Sequence, residues 1–198
     1  RKLDDAPAGE SSAAAVPRLE ALEVLVGSDL IGLAQGDQSV LTTRVAAFRT
    51  QFAKEFGMLL PSVRFAMDAD LGRSAYAILI HGVTFGRGEL QADRTLAIHP
   101  GGDTRGVVGT VTREPTYGLP AVWIDDAQRE TARQARYTLV DAPTVFVTHL
   151  SETIRQHCAH LVTRAEADKL LNRVRESQPG LVEEVVPTVL SVGDVQKV

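Results

Sequence analysis

The amino-acid sequence predicts a mixed α+β fold, and three observations carry that prediction. Apolar residues recur at helical spacing through residues 42–56, short runs rich in β-branched and aromatic residues fill much of the stretch from 63 to 140, and helical spacing returns at 142 and persists. The chain has 198 residues, 44% hydrophobic and 23% charged, which suits one ordinary globular domain or two to three small ones.

Taken in order, residues 1–17, RKLDDAPAGESSAAAVP, offer Leu3 as their one long apolar side chain. Such a composition cannot offset the entropy lost on ordering, so residues 1–19 are expected to form a flexible linker. Residues 19–26 alternate as a strand does and stop at Gly27, and Gly36-Asp37 is a turn signal. Val45, Phe48, Phe52 and Phe56 share one face of a helix over 42–56, which Gly57 is placed to end. Strands are expected over 63–67, 76–81 and 83–90, then at 96–98, with turn chemistry at 100–103. Further short strands at 107–108, 121–124 and 137–140 bracket a polar helix over 126–135. Val145, Leu150, Ile154, Cys158 and Leu161 continue as a helix, followed by helices over 163–176 and 181–190. The apolar pattern is still running at Val198 and the chain opens on Arg1, so it is expected to be a piece of a longer protein.

The formal net charge of −4 argues against nucleic-acid and acidic-lipid surfaces, which call for a basic stripe. The single cysteine, Cys158, fits a reducing, cytoplasmic setting. No stretch approaches the roughly 18 to 20 apolar residues that span a bilayer. Catalytic templates fail: Gly101 and Gly106 have phosphate-loop spacing, but Val107-Val108 stand where Lys and Ser or Thr are needed, and no G-x-S-x-G elbow occurs. Among His149, His157, Cys158 and His160, the first and last would lie about 16 Å apart along a helix. His157 and His160 supply only two ligands, and Cys158 reads as a small core residue. Asp125 and Asp126 read as helix-capping acids. The expectation is no enzyme, no metal and no cofactor.

One segment stands apart. Residues 114–125, EPTYGLPAVWID, gather the only Trp, two prolines and a Tyr. Either this stiff aromatic loop presents contact area to a protein partner, or it is a structural corner with Trp123 in the core and Tyr117 half-buried.

The same segment, with Gln128-Arg129-Glu130, residues 137–141 and Thr148-His149-Leu150, resembles the cytoplasmic part of the FlhA (FHIPEP) family of flagellar type III export-gate proteins, which is related to the injectisome gate protein SctV. The likeness runs in order from about 21 to 198 and includes Arg87-Gly88-Glu89-Leu90 and Leu181-Val182-Glu183-Glu184 ahead of Val186-Pro187. It implies an α+β multidomain architecture: a first α/β domain from 20–92 and 142–161, a small α/β domain of 93–141 inserted into it, and a helical third domain that begins at 162 and is truncated, with a fourth domain absent. Residues 1–19 would link it to a membrane-spanning region upstream in the bacterial inner membrane. The resemblance further implies a ring of about nine subunits and a docking platform for flagellar export chaperones carrying late substrates, with the export ATPase complex as a further partner. Glu114, Tyr117 and Thr148 match the family's chaperone-binding positions, two of them departing from the commoner Asp and Phe; Gly118, Leu119, Pro120 and Trp123 would support the loop. In that reading a chaperone's apolar anchor enters a dimple against Tyr117, Glu114 and Thr148 fix its register from the edge, and hinge motion between domains sets the dimple's width. The alternatives are a virulence injectisome gate subunit or a purely structural ring subunit.

Overall fold

A computed structural model describes residues 20–36, 39–102 and 104–197. The expected linker, residues 1–19, lies outside them, as do Asp37 and Asp103 of the two expected turns. Strand β1 (Leu22–Val26) buries Leu22, Val24 and Val26 and turns Glu23 and Leu25 outward. A single turn of helix, α1 (Ile31–Ala34), precedes α2 (Val40–Phe56). The Ser39 hydroxyl caps α2 by accepting from the Thr42 amide at 3.2 Å, and Gly57 closes it with φ 66°, a conformation glycine adopts freely. Strand β2 (Val63–Met67) runs parallel to β1, and β3 (Ala75–Ile80) and β4 (Val83–Glu89) form an antiparallel hairpin whose tip residues, His81 and Gly82, both have positive φ. The sheet order is β2-β1-β3-β4.

A second sheet follows from β5 (Thr95–Ile98), β6 (Thr110–Arg113), β7 (Pro120–Ile124) and β8 (Thr138–Asp141), ordered β6-β7-β5-β8 and antiparallel throughout. Between the last two lie a 3-10 turn, Asp126–Gln128, capped by the Asp125 carboxylate, and helix α3 (Arg129–Gln134). The pleat divides this sheet's side chains. Leu96, Ala121 and Trp123 join the main core, whereas Ala97, Val122 and Ile124 form a small core of their own with Ala132 and Tyr137. Helix α4 (Ala142–His157) begins at once, its cap the Asp141 carboxylate accepting from the Thr144 amide at 2.8 Å. It buries Val145, Phe146, Leu150 and Ile154 in the main core, where they meet residues from both sheets. Helices α5 (Arg164–Ser177), α6 (Pro179–Val185) and α7 (Val192–Lys197) complete the chain. No helix among the described residues is long and apolar enough to cross a membrane.

Four details depart from the sequence reading. Residues 107–108 form no strand: Val108 is exposed, and a side chain at Gly109 would come within 2.2 Å of the Trp123 carbonyl, so pairing starts at Thr110. Helix α4 stops at His157, and Cys158 sits half-buried in a 3-10 turn rather than on that helix. The helix expected over 181–190 ends at Val185, because Pro187 has no amide to donate and holds Val186 extended at φ −117°, ψ 125°. The single turn α1 has no side-chain cap and went unanticipated.

Candidate functional site

The turn from β6 to β7 is built around one acidic side chain. The Glu114 amide donates to the Leu119 carbonyl at 2.8 Å, and the Gly118 amide returns to the Glu114 carbonyl at 2.9 Å. The Glu114 carboxylate then accepts from two successive amides of the loop it begins: Thr116 to Oε1 at 2.7 Å and Tyr117 to Oε2 at 2.8 Å. Gly118, at φ 69°, supplies the left-handed residue the turn needs, and the Arg113 guanidinium donates to its carbonyl at 2.8 Å. Pro120 opens β7 opposite Arg113. The outcome is a fixed turn that leaves Tyr117 67% exposed.

Tyr117 and Leu119 form one wall of a groove of about 230 Å³. Val145 and Thr148, from the first two turns of α4, form the other, and Ile98, Val140 and Glu114 complete its lining. Nearly all of the surface it offers is apolar. The Thr148 hydroxyl is donated to the Thr144 carbonyl within its own helix at 2.8 Å. A chamber of this size and polarity accommodates one aromatic or large aliphatic side chain of a partner rather than a charged metabolite.

Next to the groove in sequence, His149 is buried and its Nδ1 shares a hydrogen bond with the Tyr76 hydroxyl at 2.7 Å. Burial pushes the Tyr76 hydroxyl well above its ordinary range, and the Glu114 charge adds to the shift. Burial also lowers the His149 imidazole, with Glu114 opposing it, so the pair is neutral. Tyr76 has room for its ring because β4 carries glycine at 88, and glycine at 86 leaves space for its partner His149. A Cβ on Gly88 would lie 2.5 Å from the Tyr76 hydroxyl, and one on Gly86 would meet His149 and Thr153 at 3.2 Å.

Glu114, Tyr117 and Thr148, far apart in sequence, thus line one groove with Leu119, and Gly118 and Pro120 shape the turn beside it. Trp123 lies in the main core on β7, behind the turn and outside the groove. The structural-corner reading of residues 114–125 therefore holds for Trp123, whereas Tyr117 is more exposed than that reading has it. Glu114 differs from its expected edge position: it is only 6% exposed and both carboxylate oxygens are engaged by the turn. Ile98, Val140 and Val145 were missed. Their one sequence signal is that Ile98 and Val140 share the strand face of Leu96 and Trp123. His157 and His160 flank Phe85, with ring centroids 4.6 and 5.1 Å from it. Among the described residues no group of three His, Cys, Asp or Glu is placed to hold a metal ion. A second apolar cavity, of about 240 Å³, lies between Cys158, α5 and α7 and contains none of the expected residues.

Comparison with known proteins identifies the setting of this groove. The model of the FHIPEP family matches residues 2–198. The flagellar biosynthesis protein FlhA of Bacillus subtilis is 40% identical over 181 residues, covering 91% of this chain and 27% of that protein. FlhA of Escherichia coli is 39% identical over 180 residues, covering 90% and 26%. The chain therefore spans about a quarter of the length of these relatives. Among solved structures, the Chlamydia pneumoniae CdsV protein superposes with a TM-score of 0.66 at 21% identity, covering 87% of this chain and 52% of that one. The nonameric SctV cytoplasmic domain of enteropathogenic E. coli gives a TM-score of 0.54 at 15% identity, covering 86% and 50%. At such identities the structures establish a shared fold.

Proposed function

The chain belongs to the FHIPEP family, and from that premise we propose that it is the part of a flagellar type III export-gate protein that receives export chaperones with their late substrates. The observation that carries the proposal is the apolar groove, in which an exposed Tyr117 stands over Leu119, Val145 and Thr148. A chaperone's apolar anchor enters this groove and packs on the tyrosine ring, and the Tyr117 hydroxyl stays in water at the mouth. Modest affinity suffices, because delivered cargo must leave and a ring of subunits multiplies weak contacts.

The wider arrangement belongs to the same proposal. Residues 93–141 form an insertion within a first domain of 20–92 and 142–161, and 162–198 begin a helical domain. The subunits assemble into a ring, a reading supported by the nonameric state of a protein with the same fold. Binding to a component of the export ATPase complex is part of the same reading, and the solved complex of CdsV with CdsO supports the capacity of this fold to take a second protein partner. A segment upstream anchors the ring to the inner membrane. The flagellar rather than the injectisome setting is favoured by identity near 40% to flagellar relatives, against 21% or less to the injectisome-type structures compared above.

The deciding experiment is a calorimetric titration of the chain with the flagellar export chaperone of its own organism, cargo-loaded, beside a Tyr117→Ala variant of verified fold. The proposal expects measurable binding that weakens at least about tenfold in the variant, the scale of a central aromatic contact. Equal binding by both proteins would place docking elsewhere.

A further inference from the structure

We infer that Glu114 is a positioning residue: its carboxylate holds the β6–β7 turn in the form that presents Tyr117, and it does not recognise the docked partner through its charge. The inference rests on the docking reading above and specifies how the site is built. A carboxylate that recognised a partner would need a solvent-accessible oxygen facing the groove mouth, since each oxygen can accept more than one hydrogen bond. Here each oxygen is occupied by a backbone amide, at 2.7 and 2.8 Å, and the residue is 6% exposed. Among the described residues no Lys, Arg or His forms an ion pair with it. The charge is thus held by peptide N–H dipoles alone, an arrangement that favours short, strong hydrogen bonds.

The geometry accounts for the residue type. The side chain must reach the amides two and three positions ahead at once, with one oxygen for each, while its own backbone is tied to Leu119 and Gly118. Loop residues between the ends have no regular partner strand, so these two bonds select one conformation for them. Tyr117 is mostly in solvent and has little packing of its own to orient it. Ordering its backbone before the partner arrives removes an entropic cost from association, so Glu114 contributes to affinity through preorganisation. Gln would keep the shape but offer one acceptor and one donor to two donors, which leaves one amide without its bond.

The test compares the whole chain with E114A, E114Q and E114D. Amide hydrogen exchange is read residue by residue by NMR, and titrations with the cargo-loaded flagellar chaperone are run at low and high salt. In E114A the Thr116 and Tyr117 amides are expected to exchange about tenfold faster or more, in E114Q one of the two, and in E114D neither. Chaperone affinity should fall in the same order, with the salt dependence of binding unchanged from the parent. Unchanged exchange in E114A, or affinity lost in E114Q together with the salt dependence while both amides stay protected, would overturn the inference in favour of direct charge recognition. A parent chain that binds no chaperone would sink the docking reading, while the exchange rates would still decide whether Glu114 holds the turn.

Discussion

Replacing Gly88 by alanine tests the packing beside the groove most directly. The backbone at Gly88 is not left-handed, so alanine is conformationally acceptable and only space opposes it. The added Cβ would stand 2.5 Å from the Tyr76 hydroxyl, 2.7 Å from Cζ and 2.8 Å from Cε1, so the ring itself must move. Movement is expensive. Tyr76 is 1% exposed, packs edge-on against Phe146 at 5.2 Å between ring centroids and is tied to His149 at 2.7 Å. Overpacking of this kind costs about 1–3 kcal/mol, and breaking or stretching a buried hydrogen bond adds about 1 kcal/mol. Alanine recovers roughly 0.4–1 kcal/mol by restricting the unfolded chain. The net expectation is a loss of roughly 1–3.6 kcal/mol, seen as a shift of about 0.5–1.8 M in the urea midpoint at an unchanged slope of about 2 kcal/mol/M. Gly86→Ala is the control, since its closest contacts are three side-chain atoms at 3.2 Å that can yield, and about 1 kcal/mol or less is expected. A Gly88→Ala midpoint within about 0.2 M of the parent would refute the close approach of Tyr76 to β4.

The remaining predictions concern charge and hydrogen bonding. His149 binds protons less readily folded than unfolded, because burial lowers it from 6.5. The unfolded chain therefore takes up protons first as pH drops below that value, and stability should fall from there until pH reaches the lower folded value. A His149→Asn variant should show a flatter urea midpoint over that range. Asp141→Ala should cost about 1 kcal/mol in urea unfolding through the lost cap on α4, with little added from Arg44, since the pair is well exposed. Burial alone would raise the Asp141 carboxyl, but the Arg44 and Thr144 hydrogen bonds hold it below its ordinary value. The cap's pH-dependent contribution is thus present above pH 3.8 and is lost as pH falls through the folded value. Thr116→Val should be neutral or stabilising by up to about 1 kcal/mol in thermal or urea unfolding, because the Thr116 hydroxyl is buried with no hydrogen-bond partner among the described residues.

Much of the architecture was legible because local signals agreed with tertiary ones. The spacing of Val45, Phe48, Phe52 and Phe56 and the stop at Gly57 describe α2, whose start at Val40 differs by two residues from the expected one. The run at Val63–Met67 appears as β2 with the same ends. Where the reading failed, either a nonlocal fact decided or a local signal was outweighed. Nothing in Val107-Val108 reveals that the backbone at Gly109 passes so close to the Trp123 carbonyl that a Cβ there would lie 2.2 Å from it, ahead of the pairing that starts at Thr110. Helix α6 ends where Pro187 constrains Val186, a signal that was present but outweighed by apolar periodicity. Within the site, the odd composition of residues 114–125 drew attention to Tyr117, and family likeness added Glu114 and Thr148. Ile98, Val140 and Val145 carry no such mark, since an apolar residue on a strand or helix looks the same whether it fills a core or lines a groove. The inward turn of Glu114 was also hidden, because it depends on which amides the folded loop presents.

The order in which the chain leaves the ribosome gives the position of α4 a further meaning. Each sheet is contiguous in sequence, the first drawn from 22–89 and the second from 95–141, so both can form from the residues already synthesised. Val145 and Thr148 emerge only afterwards, on the helix that contributes to the core both sheets share. The groove therefore has only one wall until synthesis is nearly three-quarters through this segment, and a nascent chain offers no finished binding surface before its two sheets exist. Completion of the site is timed by translation itself.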